Sequence, residues 1–369
     1  MKHTGTTKSG TAMGHPVISV YLFLFALATV SILLYGCGKD TSDENQILLT
    51  TGFEEGELFY VGEKKCYIPE AKVYISNLEN GYGRVYGEDI MTHTVSGISV
   101  TDKLSSMALS RLAEIKALTL LAADRNIALS DKDIEKCHTA SDRYFKSLSD
   151  EDIKALEITP ELLQSMYEDY TLSFRVYEDI TKDVNPEISD DEARIITIQR
   201  IYIKNIDPED TSKKMNAVYT KISEGESFDS LIDEYNEASE SKYSFGKDTG
   251  DFSENFIEAC FDLSNGEISS PLVEDGGVSI IKCLSTYDQE RTDAHKARMV
   301  EKRKSDAFDS VYSSFAKSLN TNFNTDLWDS SEMAEHRFDS TENFFDIYDE
   351  VFSFPGLSRQ YASRHHILY

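Results

Sequence analysis

Residues 252–269 run Phe-Ser-Glu-Asn-Phe-Ile-Glu-Ala-Cys-Phe-Asp-Leu-Ser-Asn-Gly-Glu-Ile-Ser, and the fold turns on how they are read. An apolar helix turn holding Cys260, then an Asn-Gly turn, predict a short helix that stops and hands over to a strand. The strand candidate follows at 278–284 (Val-Ser-Ile-Ile-Lys-Cys-Leu). Upstream lie a polar, glycine-bearing loop at 236–251, a short helix at 228–235 and a helix with a Gly-Glu turn at 215–226. A β-rich run, Ile-Ile-Thr-Ile-Gln-Arg-Ile-Tyr-Ile-Lys, occupies 195–204. The order strand, helix, helix, loop, helix, strand, strand predicts one α+β module of roughly 100 residues, the size of a small domain.

The flanks differ in kind. Residues 185–194 (Asn-Pro-Glu-Ile-Ser-Asp-Asp-Glu-Ala-Arg) read as a boundary. Before it, 47–68 suggest a small β-hairpin, and from 69 to about 180 the period becomes helical. Leu104, Ala108, Leu112, Ile115 and Leu118 keep a 3–4 spacing after a capping signal at Ser99 and Asp102. Thr159-Pro160 opens a second helix, with Leu163, Tyr167, Tyr170, Phe174 and Tyr177 on one stripe. Such a stripe is core far more often than ligand box. Beyond the module, Phe308, Val311, Tyr312, Phe315 and Leu319 form another stripe within a helix predicted over 292–319. Neither set buries itself alone, so the two pair with each other. The expected fold class is α+β: a small domain at 190–288 inserted between 47–189 and 289–369, the two halves of a mainly helical domain.

Composition narrows the function. The 369 residues carry 37 Lys and Arg against 65 Asp and Glu, a net charge of −28. Nucleic-acid binding needs a basic surface to displace phosphate counterions, and adhesion to anionic lipid needs a basic patch, so neither partner fits. At 40% hydrophobic the chain can bury a core. Its five cysteines include no C-x-x-C, which removes zinc ribbons and thioredoxin-like chemistry. There is no serine elbow and no metal-ligand spacing. Arg364-His365-His366 lacks companion ligands, and Cys137-His138 are helix neighbours that point apart. No metal and no cofactor is expected, and the chain lacks the repeated strand–helix units of a two-lobed solute binder.

The N-terminus is an address. Residues 17–35 are an unbroken apolar run after a polar segment bearing Lys2 and Lys8, and Leu34-Tyr35-Gly36-Cys37 follows. This resembles a bacterial lipoprotein signal, which implies cleavage after residue 36 and acylation of Cys37; the other reading is an uncleaved anchor. Both place the chain outside the cytoplasmic membrane, with 37–46 as a polar tether. The resemblance implies lipid anchoring on the membrane's outer face. Cys66, Cys137, Cys260 and Cys283 then remain, with three full pairings open, although Cys260 and Cys283 also suit free, buried positions.

The 190–288 module resembles a parvulin-type peptidyl-prolyl cis-trans isomerase domain. The similar stretches are IQRIYIK at 198–204, GESFDSLIDEY at 225–235, FIEACFDLSNGEISSPLVEDGG at 256–277 and SIIKC at 279–283. Together with the helical flanks and the signal, the arrangement resembles the membrane-anchored foldases of Gram-positive bacteria and, more distantly, the periplasmic parvulin chaperones. The resemblance implies a proline pocket built by Phe252 and Phe256, with Phe261 the adjoining core aromatic; the same rings would also fill a plain core. The family's two histidines correspond to Arg200 and Ser279, and no histidine occurs between 190 and 288. The acidic or cysteine position after the second helix falls near Ala238, with Glu237, Ser239 or Glu240 as stand-ins. Arg200 and Ser279 either hydrogen-bond in the imidazoles' place or mark a lost activity, since an arginine is a fixed cation with donors only. Two functions follow, both with unfolded or newly exported polypeptides as partners. One is an anchored foldase that isomerises prolyl bonds; the other is a holdase that binds without turnover.

Overall fold

The structure is a computed structural model that describes residues 52–331 and 342–353; Cys37, the apolar run before it and the His365-His366 pair lie outside the described residues. The chain divides into two compact units. Asp183–Ala307 is one, and the other joins Met1–Lys182 to Phe308–Tyr369.

The helical unit opens with a hairpin, β1 (Glu57–Val61) and β2 (Lys64–Tyr67), and runs directly into α1 (Ile68–Tyr86). A 3-10 turn at Glu88–Thr92 and a two-residue hairpin, β3 (Thr94–Val95) and β4 (Ile98–Ser99), lead to α2 (Val100–Asp124). Next come α3 (Asp131–Ser147), α4 (Asp150–Leu156) and α5 (Pro160–Thr181). Side-chain caps at Ser99, Ser130, Ser149 and Thr159 set these starts, each oxygen accepting an otherwise orphaned N–H of the first turn. The two predicted stripes are core: Leu104 to Leu118 on α2, and Leu163 to Phe174 on α5.

The α+β unit contains α6 (Asp190–Ala193), β5 (Ile196–Lys204), α7 (Pro208–Ser223), α8 (Phe228–Tyr235), β6 (Lys242–Phe245), α9 (Glu254–Phe261), β7 (Leu272–Glu274) and β8 (Gly277–Ser285). Its antiparallel sheet has the order β6-β5-β8-β7. Strand β6 lies inside what the sequence presents as the 236–251 loop. Strand alternation divides the core in two. Ile196, Ile198, Ile281 and Cys283 face α9, with its Phe256, Ile257, Cys260 and Phe261. Ile201, Ile203 and Ile280 face α7 and α8, meeting Met215, Val218, Phe228 and Leu231. Helix α10 (Gln289–Ala316) begins in this unit.

The chain then returns to the helical unit. Phe308 is fully buried there against Tyr177, and Val311, Tyr312, Phe315 and Leu319 pack on the same core. Strand β9 (Thr321–Phe323) adds to β1, with Phe59 opposite Phe323. A short α11 (Thr325–Ser330) follows, and α12 (Phe344–Phe352) inserts its aromatic face among α1, α3 and α5. The fold is therefore α+β, with a small sheet domain set between two halves of a mainly helical one. All four cysteines among the described residues are buried and free.

Candidate functional site

The site grows out of the α9 face of the sheet, where alternation stops delivering aliphatics. Two residues past Ile198, β5 places Arg200, and two further on, Tyr202; β8 places Ser279 on the same face. Arg200 pairs across the ladder with Ile281, so Ser279 is its diagonal neighbour, within reach of a long side chain. The guanidinium Nε donates to Ser279 Oγ at 2.8 Å. Its Nη2 donates to both carboxylate oxygens of Glu274, each at 2.8 Å. The Ser279 hydroxyl also donates to Glu274 Oε1. Glu274 arrives because the β7–β8 hairpin turns at Asp275-Gly276, which sets Leu272 opposite Ser279 and Glu274 opposite Gly277. The Arg200 and Glu274 side chains are only 11% and 14% exposed, so the charges neutralise each other away from most of the solvent.

Rings surround this polar triad. The Arg200 Cζ lies 4.5 Å from the centroid of Tyr202, 5.7 Å from those of Phe252 and Phe256, and 5.9 Å from Tyr243. These are cation–π distances, and a weakly hydrated guanidinium suits such a setting better than an ammonium would. Ser253 caps α9 by accepting from Phe256 N–H, which fixes the entry of the helix and with it both phenyl rings. Phe252 and Phe256 stack at 4.6 Å; Phe252 is half-buried and Phe256 is 2% exposed. Tyr202 lies flat on Gly277, where a Cβ would sit 2.3 Å from its ring.

Of the residues singled out in the sequence, Arg200, Ser279, Phe252 and Phe256 are brought together. Phe261 sits apart from them, near Phe245 and beneath Arg194 and Lys247. Glu237 is engaged elsewhere, accepting from Lys204 N–H and Lys214 Nζ, both at 2.8 Å. The carboxylate that meets Arg200 is Glu274, which the sequence reading missed together with Tyr202 and Tyr243. The hairpin register, with Asp275-Gly276 as its turn, is the signal that would have found Glu274. Cys260, behind the site on α9, has its thiol pushed up to about 12 by burial, so it is no nucleophile at neutral pH. Among the described residues no group of histidine, cysteine and acidic side chains could hold a metal, and no helix is long and apolar enough to cross a membrane.

Chemically, the face offers flat apolar surface next to a fixed donor. The Arg200 guanidinium is held through Nε and Nη2 by Ser279 and Glu274, with ring faces around its carbon. No atom here is poised for covalent chemistry.

Comparison with known proteins places this unit. Residues 196–285 match the model of the family described as Rotamase: PPIC-type PPIASE domain. The foldase protein PrsA of Caldanaerobacter subterraneus subsp. tengcongensis is 26% identical over 202 residues, covering 53% of this chain and 62% of that protein, so the match spans less than two thirds of the relative. Among solved structures, PrsA from Bacillus subtilis is 21% identical and aligns over 67% of this chain and 88% of its own, with a TM-score of 0.24. The peptidylprolyl isomerase PrsA from Bacillus cereus is 17% identical and aligns over 70% and 97%, with a TM-score of 0.34.

Proposed function

We propose, from the premise that residues 196–285 form a parvulin-type PPIC domain, that the chain is a membrane-anchored extracytoplasmic foldase acting on prolyl bonds of exported polypeptides. The observation that carries this is the Arg200 guanidinium, fixed by Glu274 and Ser279, 5.7 Å from the centroid of the half-buried Phe252 ring. Rotation about a prolyl amide faces a barrier of about 20 kcal/mol because the C–N bond is partly double. As the amide twists, conjugation is lost and the nitrogen lone pair localises, turning the nitrogen into an acceptor. An N–H aimed there binds the twisted form better than the planar one, which is what lowers a barrier. Phe252, with Phe256 behind it, supplies the apolar wall for the pyrrolidine ring, and the Arg200 guanidinium supplies the donor. Glu274 and Ser279 hold the guanidinium in place and neutralise it. Glu274 and Ser279 are thus positioning residues, and the reaction has no acid–base step.

Anchoring is proposed through an acylated Cys37, on the strength of the 17–35 apolar run and the Leu-Tyr-Gly-Cys sequence. A holdase without turnover is the second reading. It draws on the guanidinium's position over Tyr202 and beside both phenyl rings, where it competes with a proline ring for the aromatic surface.

Exchange between cis and trans forms of a proline-containing peptide, followed by NMR with the full chain in detergent micelles, separates the two. The foldase reading expects acceleration by the wild-type chain and about a tenfold loss in Phe252→Ala, the scale of one buried ring contact. Acceleration only in an Arg200→His/Ser279→His double variant would instead make the native protein a binder.

A further inference from the structure

The start of α10 is tied to the chain just ahead of β5, the strand that carries Arg200. Asp288 N–H donates to the Ile195 carbonyl at 3.0 Å, and Ile195 N–H donates to the Thr292 hydroxyl at 3.1 Å. One turn further, His295 is 5% exposed and reaches two segments at once. Its Nδ1 lies 2.9 Å from the Ala193 carbonyl oxygen, and its Nε2 lies 3.0 Å from Asp248 Oδ2. Gly246 runs directly over this contact, since a Cβ there would sit 2.9 Å from His295 Cε1 and 2.8 Å from Asp248 Oδ1.

Both partners of the ring are acceptors, one a carbonyl and the other a carboxylate. A neutral imidazole has a single N–H, so it satisfies one partner and turns a lone pair on the other. Only the imidazolium, with two N–H groups, satisfies both. When the proton leaves, the weaker-held end gives way. Ala193 is fully buried, and α10 stays fastened at Ile195. The Asp248 side chain is 61% exposed and has no other ion pair among the described residues. The charges around the ring are otherwise matched. On α6, Asp190 pairs with Lys296, Glu192 pairs with Arg303, and Asp191 lies 3.6 Å from Lys247 and 3.7 Å from Arg194. On α10 itself, Arg291 pairs with Asp288.

Asp248 belongs to the loop between β6 and α9, the loop that delivers Phe252. Within it the hydrogen bonds are long: Thr249 N–H reaches the Gly246 carbonyl at 3.3 Å, and the Thr249 hydroxyl meets Asp251 at 3.3 Å. Phe245 at one end of the loop and Phe252 at the other are in ring contact at 5.2 Å. The tie from His295 to Asp248 holds the stretch between them.

We propose that His295 is a positioning residue for the Phe252 wall: as imidazolium it clamps the 246–251 loop through Asp248, and loss of the proton releases the loop and loosens the site. The consequence for prolyl bonds rests on the foldase reading; the clamp on the loop does not. The site has no acid–base step of its own, so a pH dependence in the range where histidines titrate, about pH 5 to 8, comes from this contact.

The test is hydrogen exchange of the loop amides, read by mass spectrometry on the full chain in detergent micelles at about pH 5.5 and about pH 8, with the intrinsic rate at each pH divided out. Wild type is expected to lose about threefold in protection across residues 246–252 at the higher pH, the scale of one part-exposed ion pair, while fragments from β8 stay constant. Asp248→Asn offers an N–H to the neutral ring, so it is expected to remove the step and keep the loop protected at both pH values. His295→Gln is expected to remove the step and leave the loop unprotected at both. Should that buried variant fail to fold, Asp248→Asn, which changes an exposed side chain, decides alone. Equal protection at the two pH values in wild type, or a step that persists in Asp248→Asn, would overturn the proposal. Prolyl exchange on the same preparations is read separately. A wild-type rate that falls with loop protection, and stays level in Asp248→Asn, supports the positioning role. A rate indifferent to the loosened loop overturns that role. No acceleration at any pH refutes the foldase reading, and the loop data then judge the clamp by themselves.

Discussion

Arg200 is a permanent charge kept among ring faces, and the residues around it are constrained to tolerate that. Gly277 is the tightest constraint. An alanine Cβ there would lie within 2.6 Å of Tyr202 Cε2, Cζ and OH, so the ring has to leave and Arg200 loses a stacking face. Gly277→Ala is expected to cost about 2 kcal/mol in denaturant unfolding, the scale of overpacking, and to lower prolyl exchange with it. The thiols give a pH dependence of known sign. Burial pushes Cys260 up to about 12, Cys137 up to about 11, and Cys66 up as well. Above about pH 9 the unfolded chain releases these protons and the folded chain keeps them, so stability falls as pH rises. The melting temperature is expected to drop between about pH 7.5 and 10, and Cys137→Ala should flatten that slope. An unchanged slope would mean that other groups carry it. Legibility at this scale is uneven. Arg200 and Ser279 stand out because they fall where the family that the module resembles has its two histidines. Glu274 is invisible until the hairpin register is known, since its partner on β5 is 74 residues away in sequence.

At the scale of elements, pattern and caps carry most of the information. The apolar stripes of α2 and α5 are long and periodic, and their Ser and Thr caps stand at the starts. Strand β6 is hidden because only four residues, Lys-Tyr-Ser-Phe, form it, and glycine and serine surround them. Helix α12 lies within the 289–369 half expected to be helical, but its bounds are not readable, because a nine-residue aromatic run carries little helical periodicity of its own. What periodicity cannot show is how helices are tied across the core. Lys116 on α2 is 7% exposed and joins Glu70 on α1 at 2.6 Å to Asp169 on α5 at 2.9 Å. Burial works against its ammonium, but the two carboxylates outweigh that and hold its pKa above the ordinary lysine value. Lys116→Met removes the cation and strands a buried Glu70. The expected loss is about 3 kcal/mol, typical of breaking one side of a buried pair, and Glu70→Gln in the same chain should recover part of it. Chemical denaturation of the single and double variants decides this; an unaffected single variant would rule out the tie.

For the whole molecule, the insertion was legible because two helical halves with unsatisfied stripes have to find each other. The proposed anchor is tested at this scale. Cys37→Ala is expected to abolish labelled fatty-acid incorporation and move the chain from the detergent phase to the aqueous phase. Retention in the detergent phase would point to an uncleaved anchor instead. The insertion also orders events in time. Strand β1 waits for β9, with Phe59 paired to Phe323, and the core of α5 waits for Phe308 and the rings of α12. The sheet unit, complete by Ala307, can close as soon as it emerges, whereas the helical unit must hold its first 182 residues unfinished until the last stretch of chain arrives. During its own synthesis, the molecule therefore passes through an exposed, half-built condition in which the helical unit's aromatic stripes have no cover.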